Sequence, residues 1–125
     1  MVIAIGCDII KISRMKKSLE KYGENFLKKV FIDAEINAAD KRIDKNQFFA
    51  SRWAVKESVA KMLGTGIGKK CAWKDIEVCN NKHNKPKVIL SGKALNTAKE
   101  QGIKEILVTI SHEKEYATAF VLGQD

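Results

Sequence analysis

Cysteine is scarce in this sequence: the chain has three, Cys7, Cys71 and Cys79, and no two of them form a CxxC pair. An odd number without that spacing indicates neither a disulfide framework nor a zinc site, so we expect three reduced cysteines that behave as small apolar residues. Long apolar runs are lacking too, and the apolar N-terminus reaches Asp8 too soon for a signal peptide. We therefore expect a cytoplasmic protein that does not enter a membrane.

Internal repeats, linkers and low-complexity tracts are also lacking in the 125 residues. A chain of this length has room for one ordinary core, and 45% hydrophobic with 30% charged residues is a normal globular balance. We expect a single domain over residues 1–125, with a modest core to which an oligomer would add buried apolar surface.

Positive charge is in excess, because 23 Lys and Arg face 15 Asp and Glu, which gives a net charge of +8. Such an excess attracts nucleic acid, acidic membranes, phosphate-rich cofactors or acidic proteins, and it does not choose among them. On charge alone, a small basic nucleic-acid-binding domain is the leading alternative. The sequence offers it no helix-turn-helix pattern, no zinc ligands and no aromatic stacking motif.

Apolar periodicity and turn residues divide the chain into strands and helices that do not alternate regularly. The expected strands are 2–10, which we expect to be buried, 75–79, 87–90, 105–111 and 116–122. The expected helices are one capped by Ser13 with Met15, Leu19 and Tyr22 on its apolar side, then 24–31, 34–42 capped by Asp33, 45–63, and one capped by Ser91 that reaches about Gln101. This order predicts an α+β fold with a small antiparallel sheet and a long central helix.

The helix over 45–63 has clear limits in the sequence. Asp44 and Gln47 have the spacing of a capping box, and Gly64 follows the last helical residue, where glycine is common. At 100° per residue the apolar side chains fall on two faces. One of these faces could be a contact between subunits.

Two carboxylates stand in apolar surroundings. Glu57 lies between Trp53 and small residues of the long helix, and Asp8 ends an otherwise apolar strand. Burying a carboxylate is costly without a cation. One explanation is structural: Lys61 pairs with Glu57 one turn away, and Asp8 is a cap or faces a loop. The other is a Mg²⁺ site, since two carboxylates on separate rigid elements leave room for waters and substrate phosphates.

Two further features allow a functional and an ordinary explanation. The run GTGIG at 64–68, followed by Lys69 and Lys70, could bind phosphate through backbone N–H groups, although a simple helix stop accounts for it equally well. It is not a P-loop, because the GxxxxGK[ST] spacing is missing. His112, at the end of a strand, is either a solvated turn residue or part of a site.

Three segments together resemble the motifs of the holo-acyl-carrier-protein synthases, a branch of the phosphopantetheinyl transferases. Residues 5–9, IGCDI, with Arg14 downstream, are similar to the N-terminal GxDI motif. Residues 49–66, FASRWAVKESVAKMLGTG, resemble F(A/S)xRxAxKEAxxKALGTG, with Ser51, Ser58 and Met62 as minor departures. Residues 111–121, SHEKEYATAFV, resemble SHExxxAxAxV, so the similarity spans almost the whole chain.

The resemblance implies a role for each matching residue. Asp8 and Glu57 would hold Mg²⁺, which also binds the pyrophosphate of coenzyme A. Lys61 would contact the phosphates and stabilise the leaving 3′,5′-ADP. Glu57, directly or through a water on the metal, would help remove the proton from the attacking serine. The residues expected to position the nucleotide are Arg52, Gly64, Thr65, Gly66, Ser111 and His112.

The activity implied is Mg²⁺-dependent transfer of 4′-phosphopantetheine from coenzyme A to a serine of an apo-acyl carrier protein, in support of fatty acid biosynthesis. In this family the sites lie between the subunits of a homotrimer. Carrier proteins are small and acidic, so binding of a carrier would explain the net positive charge better than binding of nucleic acid does. The residues expected at this surface are Arg14, Lys17, Lys21 and Lys28, and a merely solvated basic face is the alternative.

Overall fold

Five strands form two antiparallel sheets in the computed structural model, which describes residues 1–125. The strands are β1 (Val2–Lys11), β2 (Ile76–Asn80), β3 (Pro86–Leu90), β4 (Glu105–His112) and β5 (Tyr116–Gln124). One sheet has the order β1-β5-β4, and the other pairs β2 with β3. The expected α+β class and all five strands are confirmed, with ends that differ by two residues or fewer.

Five helices accompany the sheets, and none has the length and hydropathy needed to cross a membrane. They are α1 (Ile12–Tyr22), α2 (Glu24–Val30), α3 (Asp33–Ala39), α4 (Lys45–Leu63) and α5 (Gly92–Glu100). The limits of α4 are those expected from the sequence. Its Asp44 cap accepts a hydrogen bond from the Gln47 backbone at 3.0 Å, and Gly64 follows with a φ of 76°. The capping box is one-sided, since the Gln47 side chain donates to Ser51 Oγ instead, at 2.8 Å.

Three other expected caps are wrong, and the reason lies in contacts between distant residues. Ser13 is already inside α1, because the Ile12 N–H donates to the carbonyl of Glu115 at the start of that helix. Asp33 is the first residue of α3 and caps nothing. Ser91 occupies the N-cap position of α5 without a side-chain hydrogen bond, and the Asp75 carboxylate accepts from the Ala94 N–H in its place at 3.2 Å.

The core is centred on α4, which packs against β1 and β5 and has 13 of its 19 residues buried. Its two apolar faces are both covered by other parts of the same chain, so the expectation that one of them is free for a subunit contact is wrong. The free apolar surface lies instead on the outer face of the three-stranded sheet. It consists of Ile5, Ile9, Leu107 and Phe120, which are 39–61% exposed.

Strand β1 is therefore buried on one face only, which corrects the expectation of a buried strand. Gly6 and Ile10 face α4 and are buried, whereas Ile5, Cys7 and Ile9 point outward. Cys7 is thus an exposed thiol, contrary to its expected role as an apolar residue, while Cys71 is fully buried.

Lys56 is a buried lysine of α4 that stabilises the core through hydrogen bonds. It is fully buried, and its Nζ donates to Glu35 Oε1 at 2.8 Å and to the carbonyl oxygens of Val30, Trp73 and Ile76 at 2.7–3.1 Å. Burial lowers the pKa of Lys56 and Glu35 opposes that change. Four oxygen acceptors around one nitrogen require the ammonium form. Lys56 thus links α4 to three other segments of the chain.

Candidate active site

The site begins where β1 packs against the C-terminal half of α4. Asp8 pairs with Ala119 in the β1–β5 ladder, and its side chain is 14% exposed. Lys61 Nζ donates to Asp8 Oδ1 at 3.0 Å. The expected pairing of Lys61 with Glu57 is therefore wrong: the side chain reaches across to the neighbouring strand rather than back along its own helix.

Glu57 is half-buried on α4, close enough to Asp8 for the two charges to interact. Burial raises the pKa of the Glu57 carboxyl, the negative charge of Asp8 raises it further, and Lys61 opposes the change. The hydrogen bond to Asp8 raises the pKa of Lys61, so this amine stays protonated. Two carboxylates that repel one another therefore share a single lysine and keep a net negative charge between β1 and α4.

This arrangement fits Mg²⁺ by its donor chemistry. The ion prefers carboxylate oxygens, needs only one or two of them, and fills its other positions with waters and phosphates. The chain contains no group of three or more His, Cys, Asp or Glu side chains arranged to hold a metal. Asp8 and Glu57 are the two carboxylates here whose chemistry fits a shared Mg²⁺ ion.

A shallow cleft of about 390 Å³ opens beside Asp8. Its other lining residues are Lys61, Thr109, Ser111 and Thr118, together with the more apolar Cys7, Ile9, Ala119 and Phe120. Ser111 and the adjacent His112 were both expected to position a nucleotide, but only Ser111 lines this cleft. His112 lines a different cleft, since successive side chains of a strand point to opposite faces.

That second cleft is larger, about 1020 Å³, and lies between the two sheets. His112 lines it with Arg52, which is 8% exposed and places its guanidinium carbon 4.2 Å from the centre of the Phe48 ring. Arg52 Nη2 donates to Asn80 Oδ1 at 3.4 Å, while its Nε has no partner. Arg42 also lies over Phe48, at 5.3 Å.

Arg42 was missed by the sequence reasoning, although an arginine shortly before the long helix was visible. Burial lowers the pKa of Arg52, and the neighbouring charge of Arg42 lowers it further. Two guanidinium groups crowded over one ring, with a buried N–H unpaired, form a cleft with the electrostatics of an anion site.

The loop 64–66 lines neither cleft. Gly64 has a φ of 76° and ends α4, and the Thr65 hydroxyl donates to the Gly66 carbonyl at 2.8 Å. The loop is exposed at the end of the helix turn that carries Lys61. Within one chain, Asp8, Lys61 and Ser111 therefore line one cleft, and Arg52 and His112 line the other. The loop 64–66 lies apart from both.

The basic residues expected to bind a partner are exposed: Arg14, Lys17 and Lys21 on α1, and Lys28 on α2. Beside them lies an aromatic stack that the sequence reasoning did not identify. Phe26 stacks on Trp53 at 5.8 Å between ring centres, and Trp53 contacts Trp73 at 4.3 Å. All three rings are partly exposed, and Trp53 lies one helical turn before Glu57.

Residues 4–121 match the family model of the 4′-phosphopantetheinyl transferase superfamily. The chain belongs to this superfamily. The match covers most of β1, the whole of α4 and most of β5, which are the elements that position Asp8, Glu57 and Lys61. The expectation that the chain is an enzyme of this kind is confirmed.

Relatives with the same overall length support the narrower resemblance. The holo-[acyl-carrier-protein] synthase of Halothermothrix orenii is 41% identical over 125 residues, which is 100% of this chain and 99% of that protein. The enzyme of the same name from Chlamydia pneumoniae is 44% identical over 122 residues, which is 98% of this chain and 97% of that protein. The resemblance to the holo-acyl-carrier-protein synthases is thereby confirmed.

A solved structure extends the agreement to the fold. Helicobacter pylori holo-[acyl-carrier-protein] synthase, in complex with coenzyme A, superposes with a TM-score of 0.85 at 30% identity, covering 96% of this chain and 99% of that one. The expected fold family is confirmed by this match. The assignment of individual site residues in this chain stays a prediction.

Proposed function

We propose that this chain, acting as one domain over residues 1–125, transfers 4′-phosphopantetheine from coenzyme A to a serine of an apo-acyl carrier protein. The products are the holo-carrier protein and adenosine 3′,5′-bisphosphate, and the role is to support fatty acid biosynthesis. The observation that carries the proposal is the arrangement of Asp8, Glu57 and Lys61 on two packed elements of a chain that belongs to the superfamily. The similar structure with bound coenzyme A supports the substrate.

Asp8 and Glu57 are the residues that would hold Mg²⁺. When bound, the ion would neutralise the pyrophosphate of coenzyme A and polarise the phosphoryl group under attack. The serine oxygen forms a bond to the phosphorus of phosphopantetheine, and the pyrophosphate P–O bond breaks. Glu57, directly or through a water, would accept the proton that the attacking serine loses.

Lys61 supplies positive charge where the leaving group gains negative charge. Its side chain is 54% exposed and remains protonated, so it can turn from Asp8 toward a phosphate without loss of its charge. Phosphoryl transfer depends chiefly on positioning and charge neutralisation, and a lysine on a rigid helix provides both.

The nucleotide end of coenzyme A fits the larger cleft. Arg52 and Arg42 offer cationic groups there, and His112 offers a ring nitrogen. This cleft is separate from the one beside Asp8 in a single chain. A cofactor that uses both therefore favours a site between subunits, with Asp8 from one copy and Arg52 from the next, in a homotrimer.

The carrier protein fits the surface formed by α1 and the aromatic stack. Arg14, Lys17 and Lys21 would attract an acidic helix, as would Lys28 on α2. The partly exposed rings of Phe26 and Trp53 add apolar contact area close to Glu57. A docked carrier would thus bring its serine to the carboxylate.

A direct test combines the purified chain, Mg²⁺, coenzyme A and an apo-acyl carrier protein. Mass spectrometry should find the carrier heavier by one phosphopantetheine group, and chromatography should find an equal amount of adenosine 3′,5′-bisphosphate. Chelation with EDTA should stop both. An unmodified carrier under conditions where a known synthase modifies it would refute the proposal.

A further inference from the structure

Strand β1 and helix α4 approach each other at backbone distance at Gly6. A methyl group added there would overlap the Ser58 carbonyl oxygen and lie 2.8 Å from the Met62 backbone nitrogen. Neither contact could be relieved by turning a side chain, since both atoms belong to the helix backbone. Glycine therefore lets the strand lie directly on the helix.

The helix residues that Gly6 contacts are next to the charged residues of the site. Ser58 follows Glu57, and Met62 follows Lys61. On the strand, Gly6 and Asp8 are two residues apart and share the face toward α4. The contact thus lies within one residue of each helix member of the site and within two residues of its strand member.

A second contact fixes the same place from the neighbouring strand. Ser58 Oγ donates to the Ala54 carbonyl of its own helix at 2.7 Å and also lies 3.2 Å from the carbonyl oxygen of Ala119, the residue paired with Asp8 in the sheet. The helix is therefore packed closely against two strands beside the two carboxylates.

We propose that Gly6 is a positioning residue that sets the separation between Asp8 and Glu57 required to bind a divalent cation. This inference rests on the proposed Mg²⁺ site. Mg²⁺ demands nearly ideal octahedral geometry with oxygen distances of about 2.0–2.1 Å, so a shift of roughly 1 Å between β1 and α4 would spoil a shared site.

The test compares Gly6→Ala with Gly123→Ala. Gly123 lies on β5, and a methyl group there would meet the Met62 sulfur at 3.0 Å and the Ile103 side chain at 3.1 Å. Both substitutions add a methyl group to the seam, the packed contact between the three-stranded sheet and α4. Only the first presses on the helix backbone beside Glu57, because the second meets the ends of flexible side chains.

The readout is direct binding of Mn²⁺ to the full chain, followed by electron paramagnetic resonance of the free ion. Gly6→Ala should raise the Kd for Mn²⁺ roughly 10- to 100-fold, the range typical when the support of metal ligands is lost. Gly123→Ala should lower the melting temperature and leave this Kd unchanged. A purely structural role for Gly6 would reduce the folded fraction without altering the Kd of the folded protein.

Two further variants separate the possible failures. If Asp8→Ala binds Mn²⁺ as tightly as the wild type, the proposed metal site itself is wrong. If Asp8→Ala loses binding and a folded Gly6→Ala keeps it, the positioning inference alone is wrong. Should Gly6→Ala not fold, Ala119→Ser inserts a single oxygen into the same seam: a weaker affinity for Mn²⁺ supports the inference, and an unchanged one overturns it.

Discussion

At the residue scale, Asp8 takes part in two electrostatic interactions of different strength, one with Lys61 and one with Glu57. It accepts a hydrogen bond from Lys61, which a partly exposed pair of this kind makes with little net stabilisation. It also stands beside Glu57, where a second negative charge is unfavourable unless a cation is shared. The repulsion between the Asp8 and Glu57 carboxylates is the stronger of the two interactions. We therefore propose that Asp8 serves the function rather than the stability of the fold.

Asp8→Ala and Glu57→Ala should each abolish transfer and leave a folded protein. Loss of either carboxylate weakens the hold on Mg²⁺, at a cost of several kcal/mol in transition-state stabilisation, which corresponds to about 10³-fold or more in kcat/KM. Steady-state kinetics at varied Mg²⁺, with circular dichroism as the folding check, measure this. Asp40→Ala is the matched control, because Asp40 is an exposed carboxylate paired with Lys45. Near-normal activity of either site variant at limiting Mg²⁺ would contradict the metal assignment.

Cys71 should resist alkylation in the native protein. It is fully buried, and burial raises the pKa of its thiol to about 11, so at pH 8 only about one molecule in a thousand carries the reactive thiolate there. Iodoacetamide labelling followed by peptide mass spectrometry should therefore find Cys71 modified only after denaturation, or slowly above pH 10. Equal labelling of Cys71 in native and denatured protein at pH 8 would show that this part of the core is open.

At the element scale, the strands and helices followed from the sequence because periodicity and glycine are local signals. The long helix is the clearest example, since Asp44 and Gly64 mark its ends. The caps of α1 and α5 did not follow, because Glu115 and Asp75 supply them from distant segments. The outward face of β1 was missed for another reason: with apolar residues at both odd and even positions, the strand has no alternation to reveal its exposed side.

The candidate site shows the same division. Asp8 and Glu57 were predictable as a pair from their apolar surroundings and from the motifs. The partner of Lys61 was not, because a side chain of that length reaches a neighbouring strand as easily as its own helix. Nor could the sequence show that Arg52 and His112 share a cleft apart from Asp8, since this separation arises from the packing of the two sheets.

The basic face of α1 makes a prediction at this scale. Lys17→Glu should raise the KM for the carrier protein and leave the KM for coenzyme A unchanged, because that side chain would not contact the cofactor. The defect should lie in the association rate and shrink as salt rises, as expected for charges at the rim of an interface. Kinetics with each substrate varied at low and high salt provide the test, and Lys99→Glu on α5 is the matched charge reversal.

The same experiment separates carrier binding from nucleic-acid binding. If the basic face serves nucleic acid, DNA or RNA should compete with the carrier, and Lys17→Glu should reduce a steep salt dependence of nucleic-acid binding. An equal rise in both KM values, or in neither, would remove α1 from carrier recognition. The assignment of Asp8 and Glu57 depends on other residues and would stand.

At the scale of the whole molecule, the outer face of the three-stranded sheet and the two clefts point to the same assembly. Four large apolar side chains, Ile5, Ile9, Leu107 and Phe120, are exposed on one face of the sheet. Contiguous apolar surface of this kind is typical of a contact with another protein. Ser111 and His112, adjacent on the edge strand β4, line the two different clefts. Ile9 and Phe120 of this face also line the cleft beside Asp8, so a second copy packed on the face would contact that cleft.

A homotrimer with shared sites makes a prediction that a monomer cannot satisfy. Asp8→Ala and His112→Ala should each be nearly inactive alone, yet a mixture of the two should regain activity once the subunits exchange. In a mixed trimer some sites combine an intact Asp8 from one copy with an intact His112 from its neighbour. Random assembly of equal amounts restores up to about one quarter of the sites.

Light scattering should report a trimer for the wild type and for Ile43→Lys, which alters an exposed loop residue, but a smaller species for Ile5→Lys on the sheet face. Two results would contradict the shared site: a monomer that is fully active at assay concentration, or a mixture that stays as inactive as its components after subunit exchange has been verified. Either result would place the whole site within one chain. The separation of the two clefts would then have no bearing on coenzyme A binding.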